Sequence, residues 1–264
     1  MHNLFLLILL VEPIFILCFC GKRITGAGGG IGQEVALIYA SEGAVVVCVD
    51  IDEKLNQETV HLIANLGYKK AHAYTCDVGD YFQVIALSKQ VEEEVGVVTI
   101  LINNAGVFVA KTICNIEPTE IEKMISANLM SQFWTVKAFL PSMLKNNYGH
   151  IVGIASVLTF ASFTFMSSPY TIPYNASKFA VQGLMEGLQN ELALSKNCKI
   201  KTTVIHPCIT DTVLVRLSNI KHSLSFPFCK PKDVARGIVD SQRKELAASI
   251  VPNGSCVTLF PLAR

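Results

Sequence analysis

The chain has 264 residues, of which 51% are hydrophobic, and this length allows one α/β domain with a substantial core. The formal net charge is only +1 and no basic block is present, which excludes an electrostatic case for nucleic-acid binding and favours small-molecule partners. The nine cysteines form neither a CxxC pair nor a zinc-like spacing. We therefore expect no metal site, and free thiols in a reducing compartment.

An apolar segment lies near the N-terminus. Residues 4–20 are nearly all apolar, are interrupted by Glu12, and are barely long enough to span a bilayer. Insertion of so many aliphatic and aromatic side chains outweighs the cost of one central acid, which is roughly 3 kcal/mol. We expect membrane association, with Lys22 and Arg23 keeping the rest of the chain on the cytoplasmic side. A cleaved signal peptide is the alternative, which the poor cleavage site at residues 18–21 disfavours.

Short apolar runs then alternate with amphipathic stretches, which predicts a parallel sheet with helices on both faces. The strands are expected near residues 44–50, 71–76, 98–102, 149–155, 200–206 and 248–252. The helices are expected near residues 30–42, 53–66, 80–95, 118–145, 172–196 and 231–245. The sequence thus predicts a Rossmann-type doubly wound α/β fold of about seven strands.

A glycine-rich stretch precedes the first helix: Thr25-Gly26-Ala27-Gly28-Gly29-Gly30-Ile31-Gly32. Glycines at its turn let the backbone approach a bound anion, towards which the helix points its unpaired N–H groups. A glycine pattern alone is weak, and a surface turn is the alternative. Asp50 strengthens it, because this acid ends an apolar run about 20 residues on, where a carboxylate can hold an adenosine ribose. Together they favour a dinucleotide, NAD over NADP.

The first strand competes with the anchor for the same residues. A dinucleotide-binding unit needs a buried strand directly before its glycine turn. Either residues 14–24 form that strand and residues 4–11 are too short to span, or the anchor is real and the strand is short. We expect the strand to take part of this run. The division of the chain is then an apolar N-terminal segment at residues 1–20 and one folded domain at residues 21–264.

Tyr174 and Lys178 stand one helical turn apart in the helix predicted at residues 172–196, so their side chains share a face. A neighbouring cation stabilises a phenolate and lowers its pKa from about 10. Tyr174 can then accept a proton from an alcohol while a hydride leaves for nicotinamide. An isolated pair of this kind is more often an ordinary helix surface. Here the nucleotide-binding pattern that precedes the pair favours the catalytic interpretation.

Asn103-Asn104-Ala105-Gly106 follows the predicted strand at residues 98–102 and completes a set of motifs. With it, the chain resembles the short-chain dehydrogenase/reductase family from about residue 24 to 252. The glycine stretch matches the family's TGxxxGxG, and the asparagine motif matches its NNAG. The resemblance implies a nicotinamide-dependent alcohol dehydrogenase or reductase. It also implies a homodimer formed through the helices at residues 118–145 and 172–196.

The resemblance further implies roles for single residues. Tyr174 would act as the acid or base, and Lys178 would lower its pKa and hold the nicotinamide ribose. Ser156 would bind the reacting oxygen, and Asn128 would join a proton relay through water. Without the resemblance, Ser156 and Asn128 would be unremarkable strand-end and helix residues.

The cofactor residues implied by the resemblance lie in the glycine stretch, at strand ends and in the catalytic pair: Gly26, Gly28, Gly30, Ile31, Gly32, Asp50, Asp77, Val78, Asn104, Ala105, Gly106, Tyr174, Lys178, Pro207 and Thr212. Asp77 and Val78 would contact the adenine. Thr212 would contact the cofactor amide.

Within the family, residues 132–141 and 147–152 and the apolar N-terminus resemble a membrane-associated group. This group contains the 17β-hydroxysteroid dehydrogenases of types 11 and 13 and the epidermal retinol dehydrogenases. It implies NAD-linked chemistry on steroids, retinol or other lipid alcohols at the endoplasmic reticulum or lipid droplets, with the catalytic domain facing the cytoplasm. Apolar residues near the site independently indicate a lipophilic pocket, with ordinary core as the alternative: Phe160, Phe163, Phe165, Met166, Val213, Leu214, Leu217, Ile220, Leu224 and Phe226.

Two features near the site depart from the family pattern. Ser156 and Tyr174 are 18 residues apart, several more than is usual, so the chain between them must loop out. Ser162 is the alternative serine, whereas Tyr170 lacks a lysine four residues later. Cys208 replaces the glycine that the family has after its proline. These departures, with the short first strand, motivate an alternative hypothesis: a membrane or lipid-droplet scaffold with the fold but weak catalysis.

Overall fold

The computed structural model describes residues 15–20, 27–68, 71–161, 170–216 and 228–252. The strands of these segments are β1 (Phe15–Cys20), β2 (Val45–Asp50), β3 (Ala71–Thr75), β4 (Ile100–Asn103), β5 (Gly149–Ile154), β6 (Ile200–Pro207) and β7 (Ala248–Val251). They form one parallel sheet in the order β3-β2-β1-β4-β5-β6-β7. The strand order reverses between β1 and β4, and ligands bind at such a point beyond the carboxyl ends of the strands.

Ten helical segments connect these strands within the described residues. They are α1 (Gly30–Ser41), α2 (Glu53–Asn65), α3 (Tyr81–Glu94), α4 (Pro118–Ile125), the π-helical turn Ser126–Met130, α5 (Ser131–Asn146), α6 (Leu158–Ala161), α7 (Ile172–Ala193), α8 (Val213–Arg216) and α9 (Pro231–Arg243). Asp52 and Asp80 accept hydrogen bonds from the first turns of α2 and α3. Each such cap stabilises its helix by about 1 kcal/mol.

Two hydrophobic cores lie on opposite faces of the sheet. In β2, Val47 and Val49 pack into one core, with residues of α3, α5 and α7. Val46 and Cys48 pack into the other, with residues of α1 and α9. Side chains alternate along a strand, and a strand covered on both faces reads as a continuous apolar run. The helices on both faces therefore bury every residue of β2 after the first.

The predicted fold class is confirmed, and each of the six predicted strands matches an observed one within two residues at either end. β1 lies inside residues 14–24, where the sequence placed the first strand, and pairs with β2 and β4. Among the described residues, no helix is both long and apolar enough to cross a membrane. The expectation of free thiols is wrong at Cys208, which is disulfide-bonded.

One predicted helix differs from its expected form. The stretch expected as a single helix at residues 118–145 contains the π-helical turn Ser126–Met130 between α4 and α5. The Asn128 side chain in this turn binds the backbone of Val107 instead of solvent. Such bulges are common at functional sites, and no hydrophobic periodicity predicts them.

A buried polar chain joins α1 and α9 to the sheet. The Tyr39 hydroxyl donates to Gln242 Oε1 (2.9 Å), and Gln242 Nε2 donates to His150 Nδ1 (3.2 Å). Because Nδ1 accepts this bond, Nε2 carries the proton of the neutral ring and donates to Thr203 Oγ1 (2.8 Å). Burial lowers the pKa of His150 from 6.5 to about 4. The ring is therefore neutral in the folded protein at neutral pH.

We expect acid to destabilise the protein through His150. Between pH 6.5 and about 4 the unfolded chain binds a proton at this residue and the folded chain does not. The free energy of unfolding therefore falls as pH falls, by up to about 1.4 kcal/mol per pH unit. Denaturant unfolding of His150→Gln should show a shallower pH dependence. His61→Gln, which removes an exposed histidine, should keep the wild-type slope, and parallel slopes in all three proteins would contradict this account.

Candidate active site

Helix α7 brings two predicted catalytic side chains to the end of β5. Pro173 occupies its first turn, where a missing N–H costs nothing, and Tyr174 and Lys178 follow on one face. Lys178 Nζ donates to the carbonyl oxygen of Ile154 at 2.8 Å and lies 5.8 Å from the centre of the Tyr174 ring. Only 4% of Lys178 is exposed. Lys178 is therefore buried and fixed to the sheet, with the half-buried Tyr174 beside it.

Ser156 reaches Tyr174 despite the long separation in sequence. It follows β5 by two residues, and its hydroxyl forms a side-chain hydrogen bond with Tyr174. Its Oγ also accepts the backbone N–H of Leu158 at 3.2 Å. The alternative Ser162 lies outside the described residues, and Tyr170 is 46% exposed. The structure thus brings Ser156, Tyr174 and Lys178 together.

Burial shifts the pKa values of both Tyr174 and Lys178. Burial raises the pKa of the Tyr174 hydroxyl, and the hydrogen bond from Ser156 lowers it by less. Burial also lowers the pKa of Lys178 from 10.5 to about 8. The net shift of the Tyr174 pKa is therefore upward, and the prediction that the Lys178 charge lowers this pKa stays a prediction. Spacing along a helix shows that two groups meet, but it does not show how much water both lose.

Asn128 lies behind this pair and is fully buried. Its Oδ1 accepts the N–H of Val107 at 2.7 Å, and its Nδ2 donates to Val107 O and to Ser177 Oγ. The carboxamide thus holds the loop after β4 against α7. A Cβ placed on Gly106 would stand 3.2 Å from Asn128 Oδ1 and 3.6 Å from Lys178 Nζ. The predicted relay role of Asn128 stays a prediction.

A cavity opens in front of these side chains. Ser156, Tyr174 and Lys178 line it together with predicted cofactor residues: Ile31, Asn104, Gly106, Pro207 and Thr212. Much of the remaining wall is apolar and includes Phe108, Ile209 and Val215. The Phe108 ring packs edge-on against Tyr174, with 4.8 Å between ring centres. Such a contact contributes about 0.5–1.5 kcal/mol beyond area burial and fixes the phenol ring.

The other predicted cofactor residues lie along the same carboxyl edge or at the glycine turn. Asp50 ends β2, and Asp77 and Val78 follow β3, so they stand on the far side of β1 from the cavity. Asp77 is exposed and accepts the N–H of Gly79 at 2.9 Å. Three of the remainder are buried or packed: Gly28, Gly32 and Ala105. Gly26 lies outside the described residues.

The glycine turn has the geometry that an anion site needs. Gly30 has φ +58°, a left-handed backbone that favours glycine. Helix α1 begins here, and among the described residues no side chain caps its N-terminus. Gly28 has a different reason to be glycine, because a Cβ there would stand 2.2 Å from Leu55 Cβ. The glycine turn thus has the backbone shape, and α1 the N-terminal N–H groups, that phosphate binding needs.

Asp50 has an unused acceptor beside this turn. Its Oδ1 accepts the N–H of Asp52 at 2.9 Å, whereas its Oδ2 is buried and has no hydrogen-bond partner among the described residues. Burial raises its pKa to about 7, against the lowering effect of backbone N–H groups that include that of Gly28. A buried acceptor without a donor is costly, and a ribose hydroxyl would satisfy it. These residues fit a nicotinamide dinucleotide.

Of the ten apolar residues predicted to line a lipophilic pocket, only Val213 has a described side chain. Val213 is 46% exposed, so its predicted place in the pocket wall is wrong, and Val215 takes that place instead. The others lie outside the described side chains: Phe160, Phe163, Phe165, Met166, Leu214, Leu217, Ile220, Leu224 and Phe226. Sequence reasoning missed Phe108 and Ile209. Their positions just after β4 and β6 gave a usable signal, because residues at carboxyl strand ends line ligand sites.

The sequence is similar to those of known proteins. A family model described as short chain dehydrogenase matches residues 23–222. "Short-chain dehydrogenase/reductase family 16C member 6" of Bos taurus is 39% identical over 237 residues, which cover 90% of this chain and 73% of the relative. Human "Epidermal retinol dehydrogenase 2" is 36% identical, covering 84% and 70% of the two chains. Human "Estradiol 17-beta-dehydrogenase 11" is 34% identical, covering 93% and 85%.

Solved structures share the fold. A short-chain dehydrogenase/reductase from Burkholderia phymatum in complex with NAD has a TM-score of 0.81 and 24% identity, covering 94% of this chain and 92% of its own. A short-chain dehydrogenase from Sphingobium yanoikuyae in complex with NADPH has a TM-score of 0.77 and 24% identity, covering 93% and 91%. The solved structures show only the fold, whereas the family model and the relatives also show the family. This chain belongs to the short-chain dehydrogenase/reductase family, in the group of the epidermal retinol and 17β-hydroxysteroid dehydrogenases.

Proposed function

We propose that this protein is an NAD-dependent oxidoreductase that interconverts a lipophilic alcohol, a retinoid or a steroid, and its carbonyl form, with Tyr174 as the acid or base. One observation carries the proposal. Tyr174 hydrogen-bonds to Ser156, with Lys178 beside it, in the wall of a cavity whose other residues are largely apolar. A few convergent polar groups in an apolar pocket are typical of a small-molecule site.

The cofactor residues follow from the fit described above. The first turn of α1 would hold the pyrophosphate, and Asp50 would accept from the adenosine ribose. Lys178 would hold the nicotinamide ribose, and Thr212 would contact the amide. When bound, the cofactor supplies the hydride acceptor or donor. The ionised carboxylate of Asp50 repels the 2′-phosphate of NADP, which is why we propose NAD.

The chain's own residues bind the substrate oxygen and transfer the proton. The hydroxyls of Ser156 and Tyr174 lie within hydrogen-bond reach of each other in the cavity wall, so a substrate oxygen placed beside them would bind both. Because burial raises the pKa of Tyr174, the phenol holds its proton at neutral pH and can give it to a carbonyl oxygen. In the other direction Tyr174 takes the alcohol proton, and the Lys178 charge stabilises the phenolate. The apolar wall around them keeps water from the reacting atoms.

We also propose attachment to the endoplasmic reticulum or to lipid droplets, with the catalytic domain facing the cytoplasm. The apolar residues 4–20 and the resemblance to the membrane-associated group support it. Phe15–Cys20 lie in the central strand β1 and cannot at the same time belong to a spanning helix, which favours association with a lipid surface. A homodimer through α5 and α7 is proposed on the resemblance. Phe133 on α5 and Phe179 on α7 support it, because both are exposed.

Replacement of Tyr174 tests the mechanism. Tyr174→Phe removes the hydroxyl that carries the proton but keeps the ring that packs against Phe108. We expect turnover of retinol or estradiol to fall by about 10²–10⁴-fold, since general acid or base catalysis contributes this much. The absorbance of the reduced nicotinamide gives the rate, and NADH fluorescence gives the dissociation constant, which should not change.

The control is Tyr170→Phe, which removes an exposed tyrosine hydroxyl four residues earlier. It should turn over substrate like the wild type. Full activity of Tyr174→Phe would reject the base assignment. Failure of the wild type to bind NADH at millimolar concentration would favour the alternative, a membrane or lipid-droplet scaffold that keeps the fold without efficient catalysis.

Cofactor choice should depend on Asp50 and on pH. The pKa of Asp50 is about 7, so the carboxylate that repels NADPH forms as pH rises through this value. The preference for NADH over NADPH should therefore grow above pH 7, and Asp50→Asn should reduce it by about tenfold, or roughly 1.4 kcal/mol. Glu53→Gln removes a nearby exposed carboxylate and should leave it unchanged. Tighter binding of NADPH by the wild type at alkaline pH would refute the proposed choice.

Substrate size is the third measurable consequence. Phe108→Ala removes an aromatic wall of the cavity and the ring contact with Tyr174. We expect kcat/KM for retinol and estradiol to fall by about tenfold, or roughly 1.4 kcal/mol, and NADH binding to persist. Phe82→Ala, which removes a ring that is 79% exposed on α3, is the control. Preference of the wild type for small hydrophilic alcohols would exclude a lipophilic substrate.

A further inference from the structure

A buried histidine contacts the backbone of Ser156. His206 is the residue before Pro207 at the end of β6, and it is fully buried. Its Nδ1 lies 2.8 Å from Thr159 Oγ1 and 3.2 Å from the carbonyl oxygen of Ser156. Neither His206 nor Thr159 belongs to the motifs that identified the site. Both touch its serine.

The Thr159 hydroxyl, the Ser156 carbonyl and the His206 ring together determine which of their atoms carry protons. The Thr159 hydroxyl donates to the Ser156 carbonyl oxygen at 2.7 Å. A carbonyl oxygen only accepts, so His206 Nδ1 must carry a proton to bond with it. Burial lowers the pKa of His206, so the ring is neutral at neutral pH. His206 is therefore the Nδ1–H tautomer, whose single proton is shared between Thr159 Oγ1 and the Ser156 carbonyl.

This contact holds the peptide of Ser156 between two fixed neighbours. Ala155 N donates to Ile205 O at 2.8 Å, and Val157 N donates to Pro207 O at 3.0 Å, so the chain on both sides of Ser156 is tied to β6. The Ser156 carbonyl itself points to His206 and Thr159. With the backbone fixed, the serine hydroxyl is left to bond with Tyr174.

We propose that His206 and Thr159 are positioning residues that hold Ser156 in register with Tyr174, and this inference rests on the proposed function. Tyr174 and Ser156 come from α7 and the end of β5 and are 18 positions apart in sequence. A serine displaced by about 1 Å can cost roughly 100-fold in rate. The buried contact with His206 of β6 limits such displacement.

Two histidine variants separate positioning from packing. His206→Asn keeps an N–H donor close to the position of Nδ1, whereas His206→Leu keeps the bulk and removes the donor. We expect kcat of the leucine variant to fall by roughly 10- to 100-fold, with KM and the NADH dissociation constant little changed. The asparagine variant should recover most of that loss. Thr159→Val should resemble the leucine variant, and Thr159→Ser the wild type.

Two kinetic outcomes would overturn the proposal. One is wild-type kcat in His206→Leu. The other is an equal loss in the asparagine and leucine variants, which would mean that the ring only fills space. Melting temperatures of all variants identify any loss that comes from unfolding.

A second measurement does not depend on turnover. Nitrogen-proton NMR correlation of the ring distinguishes the two neutral tautomers, and we expect Nδ1–H for His206. The Nε2–H tautomer would overturn the proposal, because Nδ1 could then only accept from Thr159. If the wild type turns over no alcohol but His206 is the Nδ1–H tautomer, the proposed function fails while the contact with Ser156 stands.

Discussion

The hydrogen bond from Lys178 to the Ile154 carbonyl is the constraint on which the site depends. It anchors the first turns of α7 to the last residue of β5, and Ser156 lies two residues beyond that anchor. Tyr174, one turn before Lys178, is thereby brought to the serine whatever the length of chain between them. A long insertion costs little in loop entropy when both of its ends are fixed. The departure in spacing therefore does not prevent the two hydroxyls from meeting.

The central strand imposes a second constraint, on the N-terminal segment. Each residue of β1 pairs with β2, and four of them also pair with β4. Without such a strand the edges of β2 and β4 would present unpaired backbone groups in the middle of a buried sheet. The strand also places the glycine turn at the reversal of strand order. Because Phe15–Cys20 belong to the sheet, membrane attachment by the apolar N-terminal segment would have to use residues before Phe15.

The sequence predicted most of the fold, because parallel strands buried on both faces read as plain apolar runs. From motifs and from the family resemblance it named three candidate catalytic side chains, Ser156, Tyr174 and Lys178, which the structure brings together. It did not predict the π-helical turn at Asn128, the wall formed by Phe108 or the contact of His206 with Ser156. The first and the last of these join residues 21 and 50 positions apart, and no local pattern records such contacts, whereas the position of Phe108 after β4 gave a signal that was missed. The net upward shift of the Tyr174 pKa could not be predicted from the sequence either, since the burial that causes it is a property of the assembled cavity.

The apolar character of the cavity has two consequences that act in opposite directions. Apolar walls favour a lipophilic substrate, because its burial releases water from both surfaces. The same walls desolvate Tyr174 and Lys178, raising the pKa of the phenol and lowering that of the ammonium, so they oppose the charges that proton transfer requires. Fixed donors at short range offset this cost, because in a low dielectric each hydrogen bond to a developing charge is stronger than in water. A cavity of this kind therefore needs accurate placement of Ser156 more than a polar one would, which is the task we assign to His206 and Thr159.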